Sequence, residues 1–230
     1  MGVRTLNEKI PIRAVVFDYG KVLARAPLVS DVQAMAGIFD VTVQRFEELY
    51  WKRRLAYDRG DLDVVSYWTA VGAEAGKLSA ATNGKSIPVA LAPATIEELI
   101  AMDTRSWSRP DEATVQWAVQ LRHAGLEIAV LSNMPLELSR RLVATCQWLS
   151  VFDIFTFSCD ARAVKPEAAI YRTCLDKLHT SAHEVLFLDD RTENVEGAIA
   201  SGMHSVVFDD LESTMERVAT RFDVPLPVGK

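Results

Sequence analysis

Five short apolar runs constrain this chain more than any other feature: Ala14–Phe17, Ile128–Leu131, Ile154–Phe157, Val185–Leu188 and Ser205–Phe208. Each is continuous instead of alternating with polar residues. That is the pattern of a strand covered on both faces, and such strands belong to parallel sheets flanked by helices. Between the later runs, apolar residues recur at helical spacing. Leu138, Leu142, Cys146 and Leu149 share one face, and Ala168, Tyr171, Leu175 and Leu178 share another. Val195, Ala198 and Ile199 begin a third face, with Gly202 placed to end it. Strand alternating with helix over residues 126–222 predicts βαβ units and a doubly wound, Rossmann-like α/β fold built on a parallel sheet.

Residues 28–108 break that rhythm. They hold no clear strand run, and the spacing predicts helices over Val43–Tyr57, Val64–Ala75 and Ala94–Met102. The stretch Lys77–Pro93 carries Asn83-Gly84 and two prolines, which reads as a loop. The expected organisation is a core made of residues 11–27 and 109–230, with a helical cap, residues 28–108, inserted after the first strand.

A chain of 230 residues with 49% hydrophobic and 24% charged side chains has the composition of an ordinary globular protein. Its formal charge of -6 argues against nucleic acid as a partner, because binding a phosphate backbone needs a basic face. A small anionic molecule needs only a local positive site and is not excluded. The three cysteines, Cys146, Cys159 and Cys174, lack metal-ligand spacing and sit in or beside apolar stretches, as buried free thiols do. The segment MGVRTLNEKIPIRAVVF has no apolar run of signal-peptide length before Asp18, and no stretch approaches the length of a membrane span. A cytoplasmic protein without a membrane partner is therefore expected, as monomer or homodimer.

Ligands of doubly wound sheets bind beyond the carboxyl ends of the strands. There stand Asp18 in VVFDYGKVL, Ser132 and Asn133 in AVLSNMP, and Asp189 and Asp190 in VLFLDDRTEN. Lys165, in ARAVKPEAAIY, lies in the connection that follows Ile154–Phe157. Carboxylates gathered this closely raise one another's pKa unless a cation sits among them. An all-oxygen donor set selects a hard ion, and Mg²⁺ is the usual one beside phosphate. Ser132 and Asn133 can donate to phosphate oxygens, Lys165 brings positive charge, and an aspartate can attack phosphorus to form an aspartyl-phosphate. Each residue also has an ordinary role open to it. Asp18 could end a strand, Asp189 or Asp190 could cap the next helix, Ser132 could belong to a turn, and Lys165 could be a solvated lysine.

Taken in order, VVFDYGKVL, VLSN, VKPEAAIY and FLDDRTENVEGA resemble the four motifs of the haloacid dehalogenase-like hydrolase superfamily, across nearly the whole chain. The branch most resembled holds sugar-phosphate phosphatases and the amino-terminal phosphatase domain of bifunctional epoxide hydrolases. The resemblance implies that Asp18 is nucleophile and metal ligand, with the Gly20 carbonyl and the Asp190 carboxylate as further ligands. Asp189 and Asn194 would act around the metal through water or outer hydrogen bonds, and Ser132, Asn133 and Lys165 would hold the phosphate. It implies a Mg²⁺-dependent phosphatase of a small phosphorylated metabolite, sugar phosphates included. One departure stands out. Phosphatases of this superfamily commonly carry an acid-base aspartate two residues after the nucleophile, and here that position is Gly20. Lys21 or a cap residue could take over the task.

In the cap, YWKRRLAYDRGDLDVVSYW is mostly packing and solvated surface, yet family caps close over their sites with such residues. Arg53, Tyr57 and Trp68 are thus candidate substrate contacts, whereas Trp107, Trp117 and Trp148 read as core or hinge packing and the histidines take no role. Three rivals remain. A 2-haloacid dehalogenase uses the same aspartate without metal, but the Asp189-Asp190 pair calls for a cation. A phosphomutase needs the missing acid-base. A catalytically idle binding relative is kept open by Gly20.

Overall fold

The structure, a computed structural model, describes residues 9–83 and 91–226. In chain order the strands are β1 (Ile10–Pro11), β2 (Ala14–Phe17), β3 (Glu127–Ser132), β4 (Ile154–Phe157), β5 (Val185–Asp189), β6 (His204–Val207) and β7 (Phe222–Asp223). The helices are α1 (Val29–Ile38), α2 (Val43–Lys52), α3 (Arg54–Arg59), α4 (Val64–Asn83), α5 (Pro93–Ser106), α6 (Glu112–His123), α7 (Leu136–Thr145), α8 (Ser158–Ala161), α9 (Ala168–Leu175), α10 (Thr192–Ala200) and α11 (Leu211–Arg221).

Five strands form one parallel sheet in the order β4-β3-β2-β5-β6. Successive strand residues point to opposite faces. Val15, Phe17, Ile128, Val130, Leu186 and Leu188 therefore pack on one side, against Trp117 and Leu121 of α6, Leu138 and Leu142 of α7, and Val218 of α11. Val16, Ala129, Leu131 and Phe187 pack on the other, against Ile170, Tyr171 and Cys174 of α9 and Ala198 of α10. Both faces are covered, which is why these runs are apolar throughout. A small parallel pair, β1 with β7, was not legible in the sequence: it is two residues long on each side.

Helices α1 to α5 bury a separate apolar cluster of their own, with Phe39, Phe46, Tyr67, Trp68 and Leu99 at its centre. Two expectations need correction here. The single helix expected over Val43–Tyr57 is two helices, broken at Arg53, whose φ of -119° and ψ of 8° lie outside the helical region. The loop expected over Lys77–Pro93 begins later, because α4 runs on to Asn83: the segment KLSAATN is rich in good helix formers and meets no breaker before Gly84. Residues 84–90 of that stretch, and residues 1–8, which enter the reading of the amino-terminus, lie outside the described residues. No helix among the described residues is long and apolar enough to cross a membrane.

Helix α3 ties this layer to the sheet. Tyr57 donates its hydroxyl to Glu137 at 3.1 Å, and Arg59 grips Glu167 through two hydrogen bonds of 3.0 and 2.6 Å. The buried Ser158 hydroxyl donates to the Asp58 carbonyl at 2.6 Å and accepts from the Met134 amide at 2.8 Å. The backbone just after α3 accepts from Arg162 at the Gly60 carbonyl.

Candidate active site

In a sheet of this order the chain winds outward from β2 through β3 to β4, then crosses to β5 and β6 on the other side of β2, so a crevice opens at the carboxyl end of β2. Asp18 stands there, immediately after β2, with its amide bonded to the Leu188 carbonyl at 2.8 Å. Ser132 closes β3, Asp189 closes β5 and Asp190 follows it. Oxygens of Asp18, Asp189 and Asp190 all lie within 4.8 Å of one another. Lys165 enters between two of them: its Nζ lies 2.7 Å from Asp18 Oδ1, 2.6 Å from Asp189 Oδ2 and 3.0 Å from the Leu131 carbonyl. Lys165 is 4% exposed, so this is a buried ion triad and not a solvated lysine.

Burial pushes the Asp18 carboxyl up to about 7, with Lys165 opposing and Asp189 adding to the rise. Burial, and then Asp189, also raise Asp190, which Lys21 approaches at 3.6 Å. For Lys165, burial pulls downward, but the two carboxylates outweigh it and hold the ammonium charged above its ordinary range. Asn194 donates to both oxygens of Asp189 at 2.9 and 3.1 Å, and the Arg191 amide adds a bond of 2.9 Å, which fixes that carboxylate. Ser132 is buried at the cavity wall, and its hydroxyl has no protein partner among the described residues.

Asn133 stands beside Ser132 at the cavity wall. Its side chain is engaged by the Lys165 backbone, accepting from the amide at 2.8 Å and donating to the carbonyl at 3.2 Å. It clamps the Lys165 loop onto the end of β3, and the amide, which has a second N–H, also lines the cavity.

The cavity has a volume of about 670 Å³ and a wall contributed by both layers. The cap side of that wall consists of Trp51, Arg54, Leu55, Asp58 and Trp107. None of Arg53, Tyr57 and Trp68, the expected contacts, reaches it. Arg53 pairs with Glu74 on the surface at 3.3 Å. Tyr57 is stacked on Tyr67 at 4.2 Å between centroids, and Trp68 is 0% exposed in the cap interior. Trp51, Arg54, Leu55 and Asp58 recur at helical spacing, so a single face running across the break at Arg53 turns to the cleft. Arg54 donates to Asp58 at 2.8 Å, meets Asp103 at 3.2 Å and lies over the Tyr50 ring at 4.7 Å. Burial raises the Asp58 carboxyl, with Arg54 opposing.

Trp107, expected as core or hinge packing, is buried in the core cluster and also forms part of the cavity wall. Its ring lies 3.2 Å from where a Cβ on Gly20 would be, and its carbonyl accepts from the Tyr19 hydroxyl at 2.7 Å. The ring fills the space that a longer side chain at position 20 would need. No signal in the sequence links residues 20 and 107. The turn after Asp18 is tight: Lys21 takes a φ of 61°, and its amide bonds back to the Ala24 carbonyl at 2.6 Å.

A model of the haloacid dehalogenase-like hydrolases matches residues 12–202 of the chain. Bifunctional epoxide hydrolase 2 of Rattus norvegicus is 32% identical over 174 residues, which cover 71% of this chain and 30% of that protein. The chain thus spans about 30% of the length of that relative. The sesquiterpene phosphatase astK of Aspergillus oryzae is 26% identical over 206 residues, covering 89% of this chain and 94% of the relative. Among solved structures, a HAD family enzyme of Bacteroides thetaiotaomicron in complex with magnesium and inorganic phosphate superimposes with a TM-score of 0.63 at 15% identity, covering 85% of this chain and 93% of the other. The L-2-haloacid dehalogenase of Xanthobacter autotrophicus does so with 0.62 at 21%, covering 94% and 92%. Both structures share the fold.

Proposed function

This chain belongs to the haloacid dehalogenase-like hydrolases, and on that premise we propose that it is a Mg²⁺-dependent phosphatase of a small phosphorylated metabolite. One observation carries the reading: three carboxylates, Asp18, Asp189 and Asp190, converge within 4.8 Å at the crevice of the sheet. The donors are hard oxygens, the set that suits Mg²⁺, so the residues fit the ion. Asp18 and Asp190 would hold it, with the Gly20 carbonyl beside them, while Asn194 and the Arg191 amide fix Asp189 behind. When bound, the ion would offset the charge between carboxylate and phosphate.

Asp18 attacks phosphorus. The bond from its oxygen to phosphorus forms as the bond to the ester oxygen breaks, and the leaving oxygen takes its proton from solvent water. Water then attacks the phosphorus of the aspartyl-phosphate, releasing phosphate and restoring the carboxylate. Lys165 holds one oxygen of Asp18 and steadies the charge of the carboxylate pair. The Ser132 hydroxyl is placed to donate to a phosphate oxygen. The phosphatase relatives support this reading for the chain. Release of inorganic phosphate from p-nitrophenyl phosphate and alkyl phosphates should require Mg²⁺ and stop with EDTA. Phosphate release unaffected by the chelator would contradict the metal requirement, and chloride release from 2-chloropropionate in its presence would put the dehalogenase reading in place of this one.

No acid stands at position 20, and general acid-base help is worth about 10²–10⁴-fold. Restoring it alone should fail, because the Trp107 ring lies 3.2 Å from the new Cβ. Gly20→Asp is expected to lower kcat/KM for an alkyl phosphate. Combined with Trp107→Leu, it should recover and exceed the parent by about tenfold. Steady-state kinetics of the two variants check this, and a gain in the single variant would show that the ring gives way freely.

A further inference from the structure

Every cation lining the cleft is already matched by a carboxylate. Lys165 sits between Asp18 and Asp189, Lys21 is 3.6 Å from Asp190, Arg191 Nε donates to Glu193 at 2.8 Å, and Arg54 Nε donates to Asp58 at 2.8 Å. On the cap side of the wall Arg54 is the one cation among the described residues, and two carboxylates, Asp58 and Asp103, share it. A second anionic group on a substrate, held away from Asp18, would find no free positive charge there and would meet carboxylates instead. Hydroxyls fare little better. The cap offers them Arg54 and Asp58, which are bonded to each other, whereas a polyol needs several placed donors and acceptors.

What the wall does offer is apolar. Trp51, Leu55 and Trp107 contribute from the cap, and Met134 and Leu138 from the core. Trp51 and Leu55 line the cleft and are 55% and 51% exposed. A ligand that covers such surface gains from each methylene it removes from water.

We infer that the substrate is the monophosphate ester of an apolar alcohol, its hydrocarbon part lying along Trp51 and Leu55, and neither a polyol phosphate nor a bisphosphate. The inference rests on the phosphatase reading and narrows it.

Two series on the full chain test it. With Mg²⁺ present, calorimetry of n-alkylphosphonates from methyl to octyl should show affinity rising about fourfold per methylene until the cleft is filled. Phosphate release from the matching n-alkyl phosphates should show the same slope in kcat/KM, with glucose 6-phosphate and hexane-1,6-diol bisphosphate each turned over less well than hexyl phosphate. Trp51→Ser and Leu55→Ser, at exposed positions that do not threaten folding, should flatten both slopes. Phosphate release with no dependence on chain length, or a preference for the sugar phosphate or the bisphosphate, overturns the inference and leaves the phosphatase reading standing. No release from any ester, whatever the phosphonates do, removes both.

Discussion

Asp18→Asn is expected to lower kcat for phosphate release by on the order of 10⁴-fold or more, with the fold intact. An amide is a far weaker nucleophile than a carboxylate, and loss of the attacking group in enzymes with a covalent intermediate costs this much or more. Stability should move the other way. The Asp18 carboxyl is pushed up to about 7 by burial, and Asp189 adds to that rise, so without metal the charged form is held at a cost. An uncharged isostere that still accepts from Lys165 removes that cost. Thermal melting in EDTA at pH 8 should therefore give a Tm equal to or above the parent, while activity is lost. A variant that kept a tenth of the parental rate would show that the nucleophile lies elsewhere.

Lys165→Met should fail on both counts. The ammonium is buried, and it bridges Asp18 and Asp189 at 2.7 and 2.6 Å. Removing one partner of a buried ion pair leaves the other charges uncompensated and costs about 3–5 kcal/mol. Urea unfolding should report a loss of that order. In the same variant kcat/KM should drop by about 10²–10³-fold, the usual effect of losing a preorganised positive group beside developing charge. Because the lost cation and a bound Mg²⁺ would neutralise the same carboxylates, added Mg²⁺ should stabilise the variant more than the parent. Equal stability of variant and parent would mean that the triad is not a structural unit.

The sheet was legible because a strand buried on both faces has one sequence signature, and the carboxyl ends of those strands locate a crevice whatever the fold contains besides. Asp18, Ser132, Asp189 and Asp190 follow from that, and the structure brings them together with Lys165 and Asn194. Asn133 shows the limit: its position was readable, but its engagement by the Lys165 backbone depends on how two loops meet. The cap was read less well for a physical reason. Its helices carry apolar residues on several sides, so periodicity says little about where one ends. The break at Arg53 has no glycine or proline to mark it, and the face turned to the cleft is that of Trp51, Arg54, Leu55 and Asp58, not that of Arg53 and Tyr57. Likewise the Trp107 ring against Gly20 joins residues far apart in the chain, a packing fact with no local trace.

That a carboxylate takes the phosphoryl group before water does is the claim on which the rest depends. The most direct measurement is a single turnover with an alkyl phosphate and Mg²⁺, quenched in acid and mapped by mass spectrometry. The account predicts phosphate on the peptide containing Asp18, removable by hydroxylamine as an acyl phosphate is, and absent when Mg²⁺ is withheld. Phosphate released within the first turnover with no modified peptide at any quench time, or a modification on another residue, would contradict it.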